Sequence, residues 1–154
     1  MTPQELLETL KEQESAIQFT SFDSTLAYKI GSFVVEHALK NNLPIALDIS
    51  VGNRCLFHFS ANEATLDNEM WIMRKVKSVK RFQHSSYFLG RRLALEGKTM
   101  SERYMISEQE YAFHGGCFPI ILKGTGAIGT MTISGLAQED DHQLVVDALT
   151  KFLR

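Results

Sequence analysis

The chain has 154 residues, of which 44% are hydrophobic and 22% are charged, and its formal net charge is −2. These values are typical of a globular domain with its own hydrophobic core and exclude a disordered chain. No apolar run approaches the roughly 18 residues of a transmembrane helix, and the acidic start does not resemble a signal peptide. We therefore expect a single domain over residues 1–154 in the cytoplasm, with no membrane partner and with Cys55 and Cys117 as free thiols.

The first third of the chain predicts two helices. Thr2 and Glu5, with Pro3 between them, form a capping box that begins a short helix. A second helix is expected from Ser21 or Asp23 to about Lys40, because hydrophobic residues recur there at helical spacing. A short additional strand is an alternative for residues 16–20.

Two hairpins are predicted from strict alternation of hydrophobic residues. The first pairs residues 45–51 with 55–59 through a Gly52-Asn53 turn, and Cys55, in phase with Phe57 and Phe59, is expected in the core. His58 then lies on the other face of that strand. The second hairpin pairs 118–123 with 127–134, and a last helix follows over residues 139–152.

Residues 68–96 predict one long amphipathic helix with a cationic outer face. Between positions 74 and 103 there are nine basic and two acidic residues, a net charge of +7, whereas the remainder of the chain carries −9. Such a charge separation suits an anionic ligand or an oligomer that matches its own acidic surface.

The order of elements favours an α+β fold. Hairpins replace the strand-helix-strand alternation of parallel sheets, which predicts a central antiparallel β-sheet flanked by α-helices.

Three segments resemble the HbpS/GlcG-like family, whose domain is named for haem degradation. They are His-Gly-Gly-Cys-Phe-Pro-Ile from 114, Gly-Ala-Ile-Gly-Thr-Met-Thr-Ile-Ser-Gly at 126–135, and Glu-Asp-Asp-His-Gln-Leu-Val-Val from 139. Trp-Ile-Met-Arg-Lys from 71 and Arg-Phe-Gln-His-Ser-Ser-Tyr from 81 are similar to its uncharacterised UPF-type branch. The resemblance implies a profilin-like arrangement, a homo-oligomer and, as in some relatives, haem as a cofactor. Asp48 departs from the family, since one more residue than usual separates it from Gly52.

The His-Gly-Gly-Cys segment at 114–117 is the first candidate site. Gly115 and Gly116 permit a close backbone approach to a ligand, and His114 can shuttle a proton or ligate a metal near neutral pH. The alternative is that the glycines shape the entry to a strand and His114 packs. Catalysis by a Cys117 thiol with His114 as its base is a weaker hypothesis.

The cationic helix is the second candidate site. Arg74, Arg81, His84 and Ser85 supply guanidinium, imidazole and hydroxyl groups that bind carboxylate or phosphate. The alternative is a solvated helix face. If His84 and His114 met in the fold, they would form an anion pocket with Arg81.

The leading hypothesis is an oligomeric domain that binds a small anionic molecule, such as haem through its propionates or a small carboxylate. The alternative is a protein–protein interaction module whose basic helix forms an interface, and an enzyme comes third. The five histidines and two cysteines lack the spacing of known zinc motifs, so no metal is expected. Because the chain is acidic overall, no nucleic-acid partner is expected either.

Overall fold

The computed structural model describes residues 1–153, and within that range it contains six helices and four strands. In chain order they are α1 (Pro3–Ala16), α2 (Ser24–Asn41), β1 (Ala46–Val51), β2 (Arg54–Ser60), α3 (Leu66–Phe82), α4 (Ser86–Glu96), α5 (Met100–Tyr104), β3 (Cys117–Leu122), β4 (Gly126–Ser134) and α6 (Gln138–Lys151). Both predicted hairpins, the first two helices and the last helix are therefore confirmed. None of the helices in residues 1–153 has both the length and the apolar character to cross a bilayer.

The strands form one sheet in the order β2-β1-β4-β3, and all neighbours are antiparallel. This confirms the predicted α+β class with a profilin-like central antiparallel sheet. Residues 16–20 do not form a strand. Phe19 alone makes an isolated bridge to Leu122, at the outer edge of β3.

The two faces of the sheet differ in chemistry. Leu47, Ile49 and Ile133 point to one face, where they pack with α2 and α6 in the main hydrophobic core. Because successive side chains alternate, Asp48 and Thr132 point to the opposite face. That face is covered by α3. The polar groups of the sheet therefore lie beneath α3, and a functional site is best sought there.

The prediction of one long helix over residues 68–96 is wrong. Gln83 adopts a left-handed conformation that ends α3, and Ser85 caps α4 by accepting a hydrogen bond from the Phe88 amide. Glu14 of α1 holds the break, since its carboxylate lies 2.8 Å from His84 Nδ1 and accepts a hydrogen bond from the Ser85 amide.

The prediction that Cys55 belongs to the core is also wrong. Ile49 pairs with Phe57, whereas the next residue, Ser50, pairs with Cys55, so Leu56 is an extra residue in a β-bulge. The bulge reverses the alternation and turns Cys55 to the polar face, where it is exposed.

A second hydrophobic cluster joins α1 and α4 to the segment that leads into β3. Leu10, Phe88 and Phe113 are among its buried members. Gly90 permits this packing, because a Cβ at that position would collide with the carbonyl oxygen of Phe113. The cluster holds Tyr111 and Phe113 immediately before His114, which lines the site described below.

Candidate functional site

A cavity of about 260 Å³ opens where α3, the end of β4 and the start of α6 meet. It lies on the polar side of the sheet. The side chains and backbone that surround it come from Asn68, Trp71, Lys75, His114, Ser134, Gly135, Leu136, Gln138 and Asp141. Of the residues predicted to bind a ligand, only His114 lines this cavity.

A buried ion pair borders the cavity. Lys75 Nζ lies 3.4 Å from Asp141 Oδ2 and donates a hydrogen bond of 3.1 Å to the Ile133 carbonyl oxygen. Burial lowers the pKa of Lys75 and raises the pKa of Asp141 to about 6. An ammonium group has three N–H donors, and within residues 1–153 Nζ has these two acceptors. Lys75 Nζ thus has one more N–H donor than it has acceptors within residues 1–153.

His114 lies partly exposed at the mouth of the cavity. Its ring meets the Trp71 indole edge to face, with 5.1 Å between ring centroids. Desolvation, together with the positive charges of Lys75, Arg74 and Arg91, lowers the pKa of His114. Because this pKa lies below the usual value of about 6.5, the imidazole is mainly neutral at pH 7.

The two glycines after His114 are needed for close packing. Gly116 has φ of +135°, and a Cβ there would lie 2.6 Å from Lys75 Nζ and would collide with the Ile133 carbonyl oxygen. The Gly115 amide donates to Gln138 Oε1 at 3.0 Å. The glycines thus let the loop lie against Lys75 and α6.

Cys117 begins β3 and is fully buried. Its sulfur accepts a hydrogen bond from Thr132 Oγ1, and burial raises the pKa of the thiol to about 12. A thiol with this pKa is protonated at neutral pH, and a protonated thiol is a poor nucleophile.

The other predicted site residues are dispersed. Arg74 stacks over Trp71 at 4.1 Å from the ring centroid, beside the cavity but outside its lining. Arg81 donates to the Tyr111 hydroxyl. Ser85 is buried as the cap of α4, and His84 contacts Glu14 and Phe88. Arg81 lies in α3, whereas Ser85 caps α4 and His84 lies between the two helices, so they do not share one helix as predicted. Within residues 1–153, His84 contacts Glu14 and Phe88 and His114 contacts Trp71, so these contacts have no residue in common.

Several lining residues were not predicted. Lys75 was counted among the nine basic residues between positions 74 and 103 and ends the family-like segment from 71, and Asp141 was named only as part of the family-like segment from 139. Trp71 belongs to a family-like segment but was assigned no role in binding, and Asn68 and Gln138 belong to none of those segments. A lysine at a position whose neighbours on the helix are Ile72 and Val79 is the one signal that indicates burial.

An antiparallel sheet with an apolar core on one face, and a polar cavity beneath a helix on the other, defines a small α+β domain. The family described as "Haem degrading protein HbpS-like" matches residues 22–150. A UPF0303 protein of Rhizobium leguminosarum bv. trifolii is 42% identical over 153 residues, 99% of this chain and 92% of that protein.

Solved structures are also similar to this chain. The crystal structure of Ybr137w protein has a TM-score of 0.87 and 36% identity, covering 95% of this chain and 86% of that one. The crystal structure of a PduOC:Heme complex shares the fold alone, with a TM-score of 0.70 and 16% identity over 84% of this chain and 94% of that one. The chain belongs to the HbpS-like family.

Proposed function

We propose that this chain binds a small anionic molecule, of carboxylate or phosphate type, in the cavity between α3, β4 and α6. The observation that carries the proposal is the buried Lys75 ammonium group at the cavity, with one N–H donor unused within residues 1–153. A buried donor gains strongly from a charged acceptor, because such hydrogen bonds are roughly twice as strong as neutral ones.

Three other groups of the cavity can contact the proposed anionic ligand. The His114 imidazole supplies a second donor at the mouth, and Asn68 supplies an amide. The Trp71 ring provides an apolar wall on which a planar ligand can stack. Asp141 offsets the charge of Lys75, which favours a ligand with a single negative charge over one with several.

The size of the cavity limits the ligand. Sites for drug-sized ligands have volumes of about 300–1,000 Å³, and this cavity of about 260 Å³ lies just below that range. A porphyrin does not fit inside it. Neutral His114 has the right donor atom for haem iron, so haem is a second candidate only at the mouth, shared between two copies of the chain.

Titration followed by two-dimensional NMR of nitrogen-15-labelled protein tests the proposal, with acetate and inorganic phosphate as probes. We expect chemical-shift changes confined to residues around 68–75, 114–116 and 134–141.

His114→Ala removes a charge-assisted donor and should weaken binding by about 10- to 100-fold. An anion beside the ring favours imidazolium, so affinity should rise from about pH 7 to about pH 5.5.

His37→Ala is the matched control, because His37 is an exposed histidine on α2, outside the cavity. It should leave the titration unchanged. Shifts scattered over the surface, or equal affinity of His114→Ala and the parent protein, would overturn the proposal. A haemin titration with a Soret shift that depends on His114 would instead favour the second candidate.

We also propose that the chain forms a homo-oligomer through α3. Leu66, Met70 and Met73 recur at helical spacing and are exposed, beside a groove of about 480 Å³ that Arg74 and Lys77 also line. Exposed apolar rows of this kind mark interaction sites. A second copy is the partner favoured by charge, because residues outside 74–103 carry −9.

Sedimentation velocity of Met73→Lys tests this interface. Met73 is 63% exposed, and a lysine buried at a subunit contact should weaken assembly by at least about tenfold. Met105→Lys is the control, since Met105 is 92% exposed and lies outside the row. A monomeric parent protein, or an assembly that is unaffected by Met73→Lys, would contradict the proposal.

A further inference from the structure

A second group of polar side chains lies on the same face of the sheet, at its β1–β2 edge and outside the cavity. Asp48, Cys55 and His58 each offer one metal-ligand atom, and these atoms lie within 4.8 Å of one another. Asp48 Oδ2 is 2.9 Å from His58 Nδ1 and 3.6 Å from Cys55 Sγ. The spacing of these residues in the sequence matches no zinc motif, so the fold is what brings them together.

The backbone fixes this arrangement. Antiparallel pairing places His58 directly opposite Asp48, and the bulge at Leu56 places Cys55 opposite Ser50. Without the bulge, the alternation of β2 would send Cys55 to the opposite face from His58. All three side chains therefore stand on strands, which hold a site more rigidly than loops do.

Two neighbouring residues orient these side chains. Ser50 Oγ donates a hydrogen bond of 2.6 Å to Asp48 Oδ1, which leaves Oδ2 directed toward the other two groups. The Glu69 carboxylate of α3 lies 2.9 to 3.0 Å from His58 Nε2. A carboxylate on the far nitrogen of a histidine is the usual support of a metal-ligating imidazole, because it sets the tautomer and the ring orientation.

We propose that Asp48, Cys55 and His58 bind a divalent transition-metal ion of the zinc type. One sulfur, one nitrogen and one oxygen are ligands that zinc accepts, whereas calcium and magnesium prefer oxygen alone. Bonds of about 2.0–2.3 Å to a tetrahedral ion separate the ligand atoms by about 3.3–3.6 Å. The observed 2.9 and 3.6 Å lie within about 0.5 Å of these separations. The ligand atoms of Cys55 and His58 lie within 4.8 Å of each other, so this pair needs the larger adjustment.

The site would keep one coordination position for water or a small ligand. Cys55 and His58 are exposed, and three protein ligands with an open fourth position are typical of reactive zinc sites rather than closed structural ones. No ligand of the proposed ion lines the cavity near His114, so the metal site and the anion site stand or fall separately.

Titration with cobalt(II), followed by absorbance, tests the proposal on the intact chain. We expect one ion per chain and a near-ultraviolet thiolate-to-cobalt band that zinc(II) abolishes by displacement. Cys55→Ser should remove the band, although Cys117 remains as an internal control thiol. His58→Asn should weaken binding strongly, and Glu69→Gln should weaken it by about 10- to 100-fold, the usual effect of losing such a support.

His37→Asn is the matched histidine control and should bind cobalt as the parent protein does. Thermal melting by circular dichroism establishes that each variant is folded, and the exposure of Cys55 and His58 makes unfolding unexpected. Absence of the band in the parent protein, persistence of the band in folded Cys55→Ser, or equal affinity of folded His58→Asn would each overturn the proposal.

Discussion

Asp141→Ala should lower the free energy of unfolding by about 3–5 kcal/mol, the usual cost of breaking a buried ion pair by removing one partner. The change leaves the ammonium group of Lys75 buried, with the Ile133 carbonyl oxygen as its remaining acceptor within residues 1–153. It also removes Asp141 Oδ1, which accepts a hydrogen bond of 3.0 Å from the Leu136 amide. Urea denaturation followed by circular dichroism measures the effect.

Asp140→Ala is the matched control, since Asp140 is the preceding residue of α6 and is exposed. It should cost no more than about 1 kcal/mol, the size of a helix-dipole interaction. The double variant Lys75→Met, Asp141→Leu should recover at least half of the loss, because an apolar pair needs no desolvation of charge. A loss below about 1 kcal/mol for Asp141→Ala would show that the pair does not hold the site.

The protein should lose stability in acid through His142, which is buried between the rings of Tyr87 and Phe118. Its Nε2 lies 2.7 Å from Gln13 Oε1, and burial lowers the pKa of the imidazole to about 4. The unfolded chain has a pKa of about 6.5 at this group and binds the proton first. The stability that the neutral His142 imidazole contributes is therefore fully present above pH 6.5 and is lost as the pH falls toward 4.

From these two pKa values, His142 should lower the free energy of unfolding by about 2 kcal/mol when the pH falls from about 7 to about 4.5. Asp141 acts in the opposite direction, because its raised pKa makes the folded state bind more protons over part of the same range. The difference between the parent protein and His142→Gln isolates the histidine. His37→Gln should leave the pH dependence unchanged, and identical curves for the parent protein and His142→Gln would refute the assignment.

Local patterns were sufficient to predict much of the fold. The capping box of Thr2 and Glu5 and the two-residue alternation of both hairpins depend on neighbours along the chain, so the sequence displays them directly. The break between α3 and α4 does not. This break depends on Glu14, which lies 70 residues from His84 in the sequence. No glycine or proline at residues 82–86 indicates that a helix ends there.

The same distinction applies to the candidate site. His114 was predicted because glycines follow it, but Lys75 and Asp141 are 66 residues apart and meet only in the folded chain. The direction of Cys55 depends on one inserted residue, Leu56, which a simple alternation does not reveal. Sequence reasoning therefore identified residue types suited to anion binding, and tertiary contacts decided which of them share a cavity.

The most direct test of the anion site is a crystal structure of protein purified without added ligand. We expect density for a small anionic molecule within hydrogen-bond distance of Lys75 Nζ and the His114 imidazole. A cavity that holds only water in several crystal forms, including forms grown in phosphate or acetate, would contradict it.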